Sequence, residues 1–528
     1  MKIALAFSGG GYRASAFSLG TLTYLDRVQM KETSLLNNVT ILSTVSGGTI
    51  TGAKYAVGIK KGESLQDIYT FLYRFFLDVD LISESIKLLN STTHREGERV
   101  KSLINAFADI YDRHLFQKDK FGVLLDKGEP IHLKHISFNT TEFMNGLQFR
   151  FQVSDTREKG IIGNYKVVIS EAVAKEIRMA DILAASSCFP AGFEPINFPT
   201  DFSLPENELI NNFFVQNENK FPIGLMDGGI VDNQGIEPIL HAEKRMRKKS
   251  GKNDNSLDLI ILSDVSSPYM EGFKANVQHK ENWWRRLTIQ KMKGAALIVS
   301  LLSIASFLFF PKIIVAIIST FFLTTSAILL GVLSLVVKKV KSNGIIDPVK
   351  LEKFLHVKLG VFEDLLTNRV NSVLKLVGSV FMKHIRRLNY KQVYEDQRWT
   401  SRRIMNGIYE LTKEVIENKI KEEKIISDFL LPSEKIQEVS AIAYNMETTL
   451  WFNEQHKEKK TLDAIIACGQ YTTCWNLLEY IEHIKKDKEN TNENHNDLLT
   501  CEQQLREDWE EFQKDPYWLV GQYLKEKD

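Results

Sequence analysis

The chain has 528 residues, and 67 lysines and arginines nearly balance 66 aspartates and glutamates, which leaves a formal net charge of +1. This length suggests roughly two to four domains, or one large α/β unit with insertions. The balanced charge argues against nucleic acid as the partner, and the 4 cysteines are too few for a disulfide framework and favour a reducing compartment.

Strand and helix patterns alternate over roughly the first half of the chain. The apolar run Ile3–Phe7 is followed by three glycines and by helical spacing of apolar residues over 14–28. The β-branched run Val39–Val45 is followed by Ser46-Gly47-Gly48 and a second helical pattern over 49–57. Further patterns are strands at 131–138, 147–153, 223–226 and 257–262, and a helical insertion at 65–125. The alternation predicts an α/β fold with a mostly parallel sheet covered by helices on both faces.

The first functional candidate is the glycine turn Gly9-Gly10-Gly11 between the first predicted strand and helix. A glycine run at this place lets successive backbone N–H groups point into one concavity, and the helix N-terminus adds positive potential, so the turn can hold an oxyanion. The alternative is a nucleotide phosphate loop, although the G-K-[ST] ending and a complete G-x-G-x-x-G are both missing. Arg13 is a candidate contact for a substrate phosphate, with a structural ion pair as the alternative.

Ser46 is the candidate nucleophile, because a serine on a sharp strand-to-helix turn stands exposed above the sheet. The usual pattern of this turn is G-x-S-x-G, whose glycines relieve crowding on both sides of the serine. Gly48 supplies the second glycine, whereas Thr44 replaces the first. Crowding at Thr44 weakens the pattern without excluding it, and an ordinary turn stays open as the alternative.

The candidate base is a carboxylate, because the 11 histidines are scattered and none lies in a recognisable turn beside a glycine. His132 and His135 fall in a strand pattern, where a packed histidine is the commoner case. Asp227 follows a strand pattern and precedes two glycines, which allow close approach of another backbone. Burial beside a serine would raise the pKa of this carboxyl group and make it a better base. Asp232 is the rival, although an aspartate in such a turn normally accepts local backbone hydrogen bonds.

Five segments in sequence order resemble the patatin-like phospholipases, a family related to the cytosolic phospholipase A enzymes. They are Ser8-Gly9-Gly10-Gly11-Tyr12-Arg13, Val45-Ser46-Gly47-Gly48, Phe138-Asn139-Thr140-Thr141-Glu142 with Gly146, Ala184-Ala185-Ser186-Ser187-Cys188-Phe189-Pro190 running to Pro195, and Asp227-Gly228-Gly229. The resemblance covers approximately residues 1–270 and implies a three-layer α/β fold with a Ser–Asp dyad and no histidine. It implies Ser46 as the nucleophile and Asp227 as the base, with the three glycines of the first turn as oxyanion donors.

Two long uncharged runs follow the region of resemblance. Residues 294–310 supply 17 uncharged residues and residues 313–337 supply 25 more, against the roughly 20 that cross a bilayer core. The flanking aromatic and basic residues are Trp283, Trp284, Arg285, Arg286, Lys291 and Lys293 before the runs, and Lys338, Lys339 and Lys341 after them. We predict a membrane hairpin that turns at Pro311-Lys312 and keeps both ends in the cytoplasm. Two full spans and a re-entrant hairpin both stay open, and a hairpin buried in a soluble core is the non-membrane alternative.

These patterns predict three regions: a patatin-like catalytic domain at 1–290 that contains the helical insertion, the hydrophobic hairpin at 294–337, and a mainly helical C-terminal region at 338–528. The predicted function is a membrane-attached lipid acyl hydrolase of the phospholipase A type, with its catalytic domain on the cytoplasmic side. The expected partners are a phospholipid or other lipid ester and the membrane, and neither a metal nor a cofactor is required. The alternatives are a general esterase or thioesterase, and a non-catalytic membrane scaffold with a degenerate hydrolase fold.

Overall fold

The computed structural model describes the chain except for residues 91–98, 127, 155–159, 191, 203–207, 217–222, 251–256, 267–281, 311, 343–355, 423, 425–426, 487–495 and 526–528. The chain divides into two compact units. The first unit comprises Met1–Met270 and Val380–Asp528, and the second comprises Glu271–Ser379. Every residue predicted to act in catalysis belongs to the first unit.

An eight-stranded sheet lies at the centre of the first unit. The strands of this unit are β1 (Ile3–Phe7), β2 (Gln29–Met30), β3 (Thr33–Ser34), β4 (Val39–Val45), β5 (His135–Glu142), β6 (Leu147–Ser154), β7 (Ile196–Phe198), β8 (Ile223–Asp227), β9 (Leu259–Asp264) and β10 (Arg403–Gly407). The strand order is β10-β9-β1-β4-β5-β8-β7, with β6 also paired to β5, while β2 and β3 form a separate ribbon. The run from β10 to β5 is parallel, and β6, β8 and β7 join in antiparallel pairs.

Helices cover both faces of this sheet. In the first stretch of the unit they are α1 (Gly11–Arg27), α2 (Gly47–Lys60), α3 (Leu65–Asp78), α4 (Leu81–Asn90), α5 (Leu103–Tyr111), α6 (Gly122–Leu125), α7 (Glu171–Lys175), α8 (Met179–Ser186), α9 (Glu208–Gln216), α10 (Gly229–Asp232) and α11 (Ile236–Ser250). In the C-terminal stretch, numbered after the three helices of the second unit, they are α15 (Met382–Tyr394), α16 (Lys413–Lys421), α17 (Glu434–Asn445), α18 (Glu454–Glu458), α19 (Thr461–Lys486), α20 (Asn496–Leu499), α21 (Glu502–Lys514) and α22 (Trp518–Lys525).

The side chains of β1 separate two hydrophobic cores. Leu5 and Phe7 belong to the larger core, while Ala4 and Ala6 belong to a second core that includes Ile239 of α11. This division follows from the strand, because successive side chains point to opposite faces of a sheet. Two cores on opposite faces of one sheet make three layers, so the predicted three-layer α/β fold is confirmed.

The C-terminal segment completes the first unit. Within it, α19 packs against α1 at a glycine contact: a Cβ atom added to Gly20 would lie 2.1 Å from the Ile466 carbonyl oxygen, and one added to Gly469 would lie 2.3 Å from the Phe17 carbonyl oxygen. Only glycine lets the two helix backbones approach this closely. The close packing explains why most of α19 is buried.

The predicted regions were 1–290, 294–337 and 338–528, whereas the compact units are Met1–Met270 with Val380–Asp528, and Glu271–Ser379. The edge strand β10 pairs in parallel with β9, so residues 403–407 belong to the same sheet as β1 rather than to a separate C-terminal region. A single short strand carries no local sign of its partner, because pairing joins segments distant in sequence. The predicted insertion at 65–125 contains α3, α4, α5 and α6.

The second unit contains α12 (Ile289–Phe309), α13 (Ile313–Ser342) and α14 (Leu359–Lys375). Between α12 and α13, Ser300 Oγ lies 2.7 Å from Ser326 Oγ, whereas Leu308 and Ile313 are 70% and 80% exposed. Hydroxyl groups inside and large apolar groups outside are typical of helices that pack in lipid. By length and composition both helices are apolar enough to cross a membrane, and 11% of each apolar window is buried. Pro311, at the predicted turn, lies outside the described residues.

Candidate active site

Ser46 occupies the turn between β4 and α2 in a backbone conformation that is rare for a residue with a side chain. Its φ is 51° and its ψ is −123°. Such strain concentrates at functional sites and is typical of a nucleophile on a strand-to-helix turn. The two following glycines are needed for space, because a Cβ atom at Gly47 would lie 2.1 Å from the Gly11 carbonyl oxygen and one at Gly48 would lie 2.7 Å from the Ser8 carbonyl oxygen.

Thr44, the departure from G-x-S-x-G, fits below this turn. Its Oγ1 donates a hydrogen bond to Thr49 Oγ1 at 3.0 Å. Its methyl carbon Cγ2 would lie 2.4 Å from a Cβ atom at Gly52 of α2, so the threonine fits because α2 carries a glycine there. The missing side chain at Gly52 therefore relieves the crowding expected at Thr44.

A polar network that the sequence analysis left without a role holds the Ser46 turn. The backbone N–H of Ser46 donates to Ser186 Oγ at 3.0 Å, and Ser186 Oγ donates to the Asn139 carbonyl oxygen at 2.8 Å. Asn139 Nδ2 donates to Ser43 Oγ and to the Thr44 carbonyl oxygen, both at 2.9 Å. Ser186 and Asn139 both lie in segments that carry the family resemblance, which is the signal that could have identified them.

Strand β5 brings Ser46 and Asp227 together. Val45 pairs with Asn139 in the parallel β4–β5 ladder, and the next residue, Thr140, pairs with Asp227 in the antiparallel β5–β8 ladder. The Ser46 side chain acts on the Asp227 carboxyl group as a hydrogen-bond partner that lowers its pKa. The exposed fractions of Ser46 and Asp227 are only 9% and 2%. The two predicted dyad residues therefore lie beside each other and are shielded from bulk water.

The environment of Asp227 suits a general base. Burial raises the pKa of its carboxyl group to about 6, while the hydrogen bonds from Ser46 and from the Gly229 N–H act in the opposite direction. The Gly229 N–H donates to Asp227 Oδ1 at 2.7 Å and so fixes one carboxylate oxygen. A pKa near 6 leaves the group ionised at neutral pH and still basic enough to take a proton.

The three predicted donors of the glycine turn differ in their hydrogen bonds. The Gly9 N–H donates to the Asn233 carbonyl oxygen at 3.0 Å and is therefore engaged within the protein. The N–H groups of Gly10 and Gly11 have no acceptor among the described residues. Both have positive φ, 149° and 61°, which favours glycine at these positions. Gly9 has a steric role instead, since a Cβ atom there would lie 3.1 Å from Ser46 Cβ.

Arg13 makes backbone contacts. Its guanidinium group donates to the carbonyl oxygens of Tyr444 and Met446. These contacts hold the C-terminal end of α17 against α1, and the partners are carbonyls rather than the carboxylate of an ion pair. The contact of Arg13 to a substrate phosphate stays a prediction.

The rival acid–base candidates have structural partners. Asp232 Oδ2 accepts the Glu237 backbone N–H at 2.8 Å near the start of α11, the local role weighed against it in the sequence. His132 lies between the Tyr55 hydroxyl at 2.8 Å and the Val39 carbonyl oxygen at 2.7 Å. His135 Nδ1 lies 3.0 Å from Ser154 Oγ. None of these contacts involves Ser46.

Asn233 and Met382, which the sequence analysis did not single out as functional, lie beside Asp227. A Cβ atom built on Gly229 would lie 2.6 Å from Asn233 Oδ1, 2.9 Å from Asp227 Oδ1 and 3.1 Å from Met382 Cε. Met382 begins α15, and Asn389 of the same helix donates to the Val231 carbonyl oxygen at 2.9 Å. The C-terminal segment therefore packs directly on the turn that carries the candidate base.

The three-layer α/β fold and a strained serine beside a buried carboxylate are features of hydrolases that use a serine nucleophile. Residues 5–240 match the family model for patatin-like phospholipases. The match includes the glycine turn, Ser46 and Asp227, and the chain therefore contains a domain of the patatin-like phospholipase family. A comparison with curated proteins gave no match.

Proposed function

We propose that this protein is a membrane-attached lipid acyl hydrolase of the phospholipase A type, with Ser46 and Asp227 as its catalytic dyad. The family supports lipid hydrolysis in general. The observation that carries the finer assignment is the strained Ser46, hydrogen-bonded to a buried carboxylate with a pKa of about 6. Gly10 and Gly11 complete the site as oxyanion donors.

The reaction runs in two half-reactions. Asp227 takes the proton of Ser46 Oγ as this oxygen attacks the ester carbonyl carbon, and the N–H groups of Gly10 and Gly11 bind the developing oxyanion. The ester C–O bond breaks, and the proton passes from Asp227 to the departing alkoxide, which leaves a lysolipid and an acyl-serine. Asp227 then deprotonates a water molecule as it attacks the acyl-serine carbonyl, the acyl–Oγ bond breaks, and the proton passes from Asp227 to Ser46 Oγ as the fatty acid leaves.

The second unit supports the membrane part of the proposal. Its two apolar helices expose large side chains over the length of a bilayer core. Basic residues flank both ends of the hairpin, which favours the cytoplasmic side for both ends and for the catalytic unit. An anchored enzyme meets its substrate within the same surface.

The deciding experiment incubates the purified full chain with mixed phospholipid vesicles and identifies the products, beside the Ser46→Ala variant. We expect a fatty acid and a lysophospholipid from the wild type, and a loss of turnover by roughly four to six orders of magnitude in the variant. Asp227→Ala is expected to lose a similar amount, and the double variant little more, because the two residues act as one unit. Hydrolysis retained by Ser46→Ala would reject the dyad.

The same preparation separates the two alternatives. A general esterase or thioesterase would prefer soluble short-chain substrates over bilayer lipid. A non-catalytic membrane scaffold would release no fatty acid, and any leakage of the vesicles would be the same in the wild type and in Ser46→Ala.

A further inference from the structure

Helix α14 (Leu359–Lys375) exposes three aliphatic side chains in its C-terminal half. The exposed fractions are 47% for Val370, 58% for Val373 and 48% for Leu374, and these residues lie within about 100° of one another around the helix. A helix of this length gains most of its stability from packing its apolar face.

The opposite side of α14 is polar. Asp364, Asn368, Asn371 and Lys375 follow one another at spacings of four, three and four residues, which places them on one stripe of the helix. Val373 lies roughly 160° around the helix from Asn371, at about 100° per residue. The C-terminal half of the helix is therefore amphipathic, with Val370, Val373 and Leu374 on its exposed apolar side.

The first turn of α14 is fastened to the segment that leads into the apolar hairpin. Arg285 donates to Asp364 Oδ1 at 2.6 Å and to Glu363 Oε2 at 3.2 Å. The Leu359 backbone N–H donates to the Leu287 carbonyl oxygen at 2.7 Å. Close approach is allowed by Gly360, where a Cβ atom would lie 2.7 Å from Arg285 Cβ. The start of α14 is thereby held just before the start of α12.

The same segment carries the side chains expected at a membrane surface. Trp283 and Trp284 are 77% and 39% exposed, and they precede Arg285 directly. Tryptophan and arginine at the end of an apolar helix are typical of the headgroup level of a bilayer. The residues that hold α14 therefore belong to the level at which the hairpin would enter lipid.

We propose that α14 lies in the boundary between headgroups and acyl chains of the same bilayer that α12 and α13 enter, with Val370 and Val373 directed toward the acyl chains. This proposal rests on the proposed membrane attachment and adds a surface-bound element to it. Continuity favours lipid as the occupant over a second copy of the chain, because the first turn of α14 is bonded to the tryptophan- and arginine-containing segment that leads into α12. An amphipathic helix in this position buries its apolar face without crossing the membrane.

The test places an environment-sensitive fluorophore on each side of the helix in the full chain. Val373→Cys and the matched control Asn371→Cys are labelled and reconstituted in phosphatidylcholine–phosphatidylserine vesicles, with and without spin-labelled lipid. The native cysteines at 188, 468, 474 and 501 are all buried, which limits their labelling. We expect a blue-shifted emission at position 373 and at least threefold stronger quenching by spin-labelled lipid than at position 371.

The outcomes separate this proposal from the membrane attachment on which it rests. Vesicle flotation of both labelled proteins with equal emission and equal quenching would overturn the placement of α14 alone. Shielding of position 373 from water without quenching by lipid would also overturn it, in favour of a protein partner such as a second copy. Failure of both proteins to float would overturn the membrane attachment together with this proposal.

Discussion

Asp227 combines burial with a charge that the proposed chemistry requires. Burial raises the pKa of its carboxyl group to about 6, whereas an aspartate in an unfolded chain titrates near 3.9. The folded state thus binds an additional proton between these two pH values, and the stabilisation from that proton is complete below about pH 4 and is lost as the pH rises through about 6. At pH 8 the carboxylate is ionised although burial disfavours its charge.

We expect Asp227→Asn to stabilise the protein at pH 8 while it abolishes turnover. Removing the buried charge should raise the free energy of unfolding by roughly 2–3 kcal/mol at pH 8 and change it little at pH 4, where the folded wild type is already neutral at this site. Thermal unfolding of both proteins at the two pH values measures the difference. An equal effect at pH 4 and pH 8 would contradict the assigned titration.

Asp181 is the matched control, since it is a buried carboxylate with the opposite shift. Burial raises the pKa of its carboxyl group, but Arg99 and Arg178 outweigh this and hold the pKa below its ordinary value. Its contribution to stability is therefore present at pH 8 and is lost as the pH falls through its folded pKa. Asp181→Asn should destabilise the protein at pH 8, the reverse of the result for Asp227→Asn.

The contact between β4 and α2 explains how Thr44 fits at the position where the G-x-S-x-G pattern has a glycine. Thr44 retains its hydroxyl contact with Thr49, and its methyl group occupies the space that a side chain at position 52 would need. A glycine in a helix interior usually costs about 0.5–1 kcal/mol relative to alanine. Gly52 carries this cost because the adjoining strand presents a threonine.

We expect Gly52→Ala to destabilise the protein by about 1–3 kcal/mol and to reduce turnover, because the added methyl group would displace the strand that ends at Ser46. Thr44→Ser keeps the hydroxyl group and deletes the opposing methyl group. In the Thr44→Ser background, Gly52→Ala should therefore become neutral or slightly stabilising. Denaturant unfolding of the four proteins gives the coupling energy, and a penalty that persists in the serine background would refute this packing.

The first unit is formed by two stretches of chain that the second unit separates in the sequence. Ser266 Oγ accepts a hydrogen bond from Asn233 Nδ2 at 2.9 Å, and Asn233 Oδ1 and Met382 Cε both lie near the same point beside Gly229. The described chain before and after the second unit is thus close together within the first. Residues after position 380 supply β10 and the helix α19 that covers α1.

We expect replacement of residues 267–379 by a flexible linker of about ten residues, which reaches roughly 30 Å when extended, to leave a folded unit. It should hydrolyse a soluble short-chain ester and should not float with vesicles. Truncation after residue 270 should give an insoluble chain, because it removes β10 and exposes the apolar face of α1. We compare the linker variant and the truncated chain by expression yield, circular dichroism and esterase rate. A soluble, active truncated chain would contradict a core formed jointly by residues before 270 and after 380.

Local patterns were sufficient for the turns that carry Ser46 and Asp227. Both turns could be predicted because glycines and apolar runs mark the end of a strand within a few residues. The order of strand and helix patterns was sufficient for the three-layer fold, since it determines which elements can cover a sheet. These features depend on neighbours in the sequence.

Only the tertiary structure decided which backbone groups are engaged and where the C-terminal segment belongs. The Gly9 N–H donates a hydrogen bond to the Asn233 carbonyl oxygen, and Arg13 donates to the carbonyl oxygens of Tyr444 and Met446. The edge strand β10 pairs with β9, although the second unit separates the two strands in the sequence. Each of these contacts joins residues far apart in the chain, and their geometry follows from the packing of the whole unit, which no local pattern encodes.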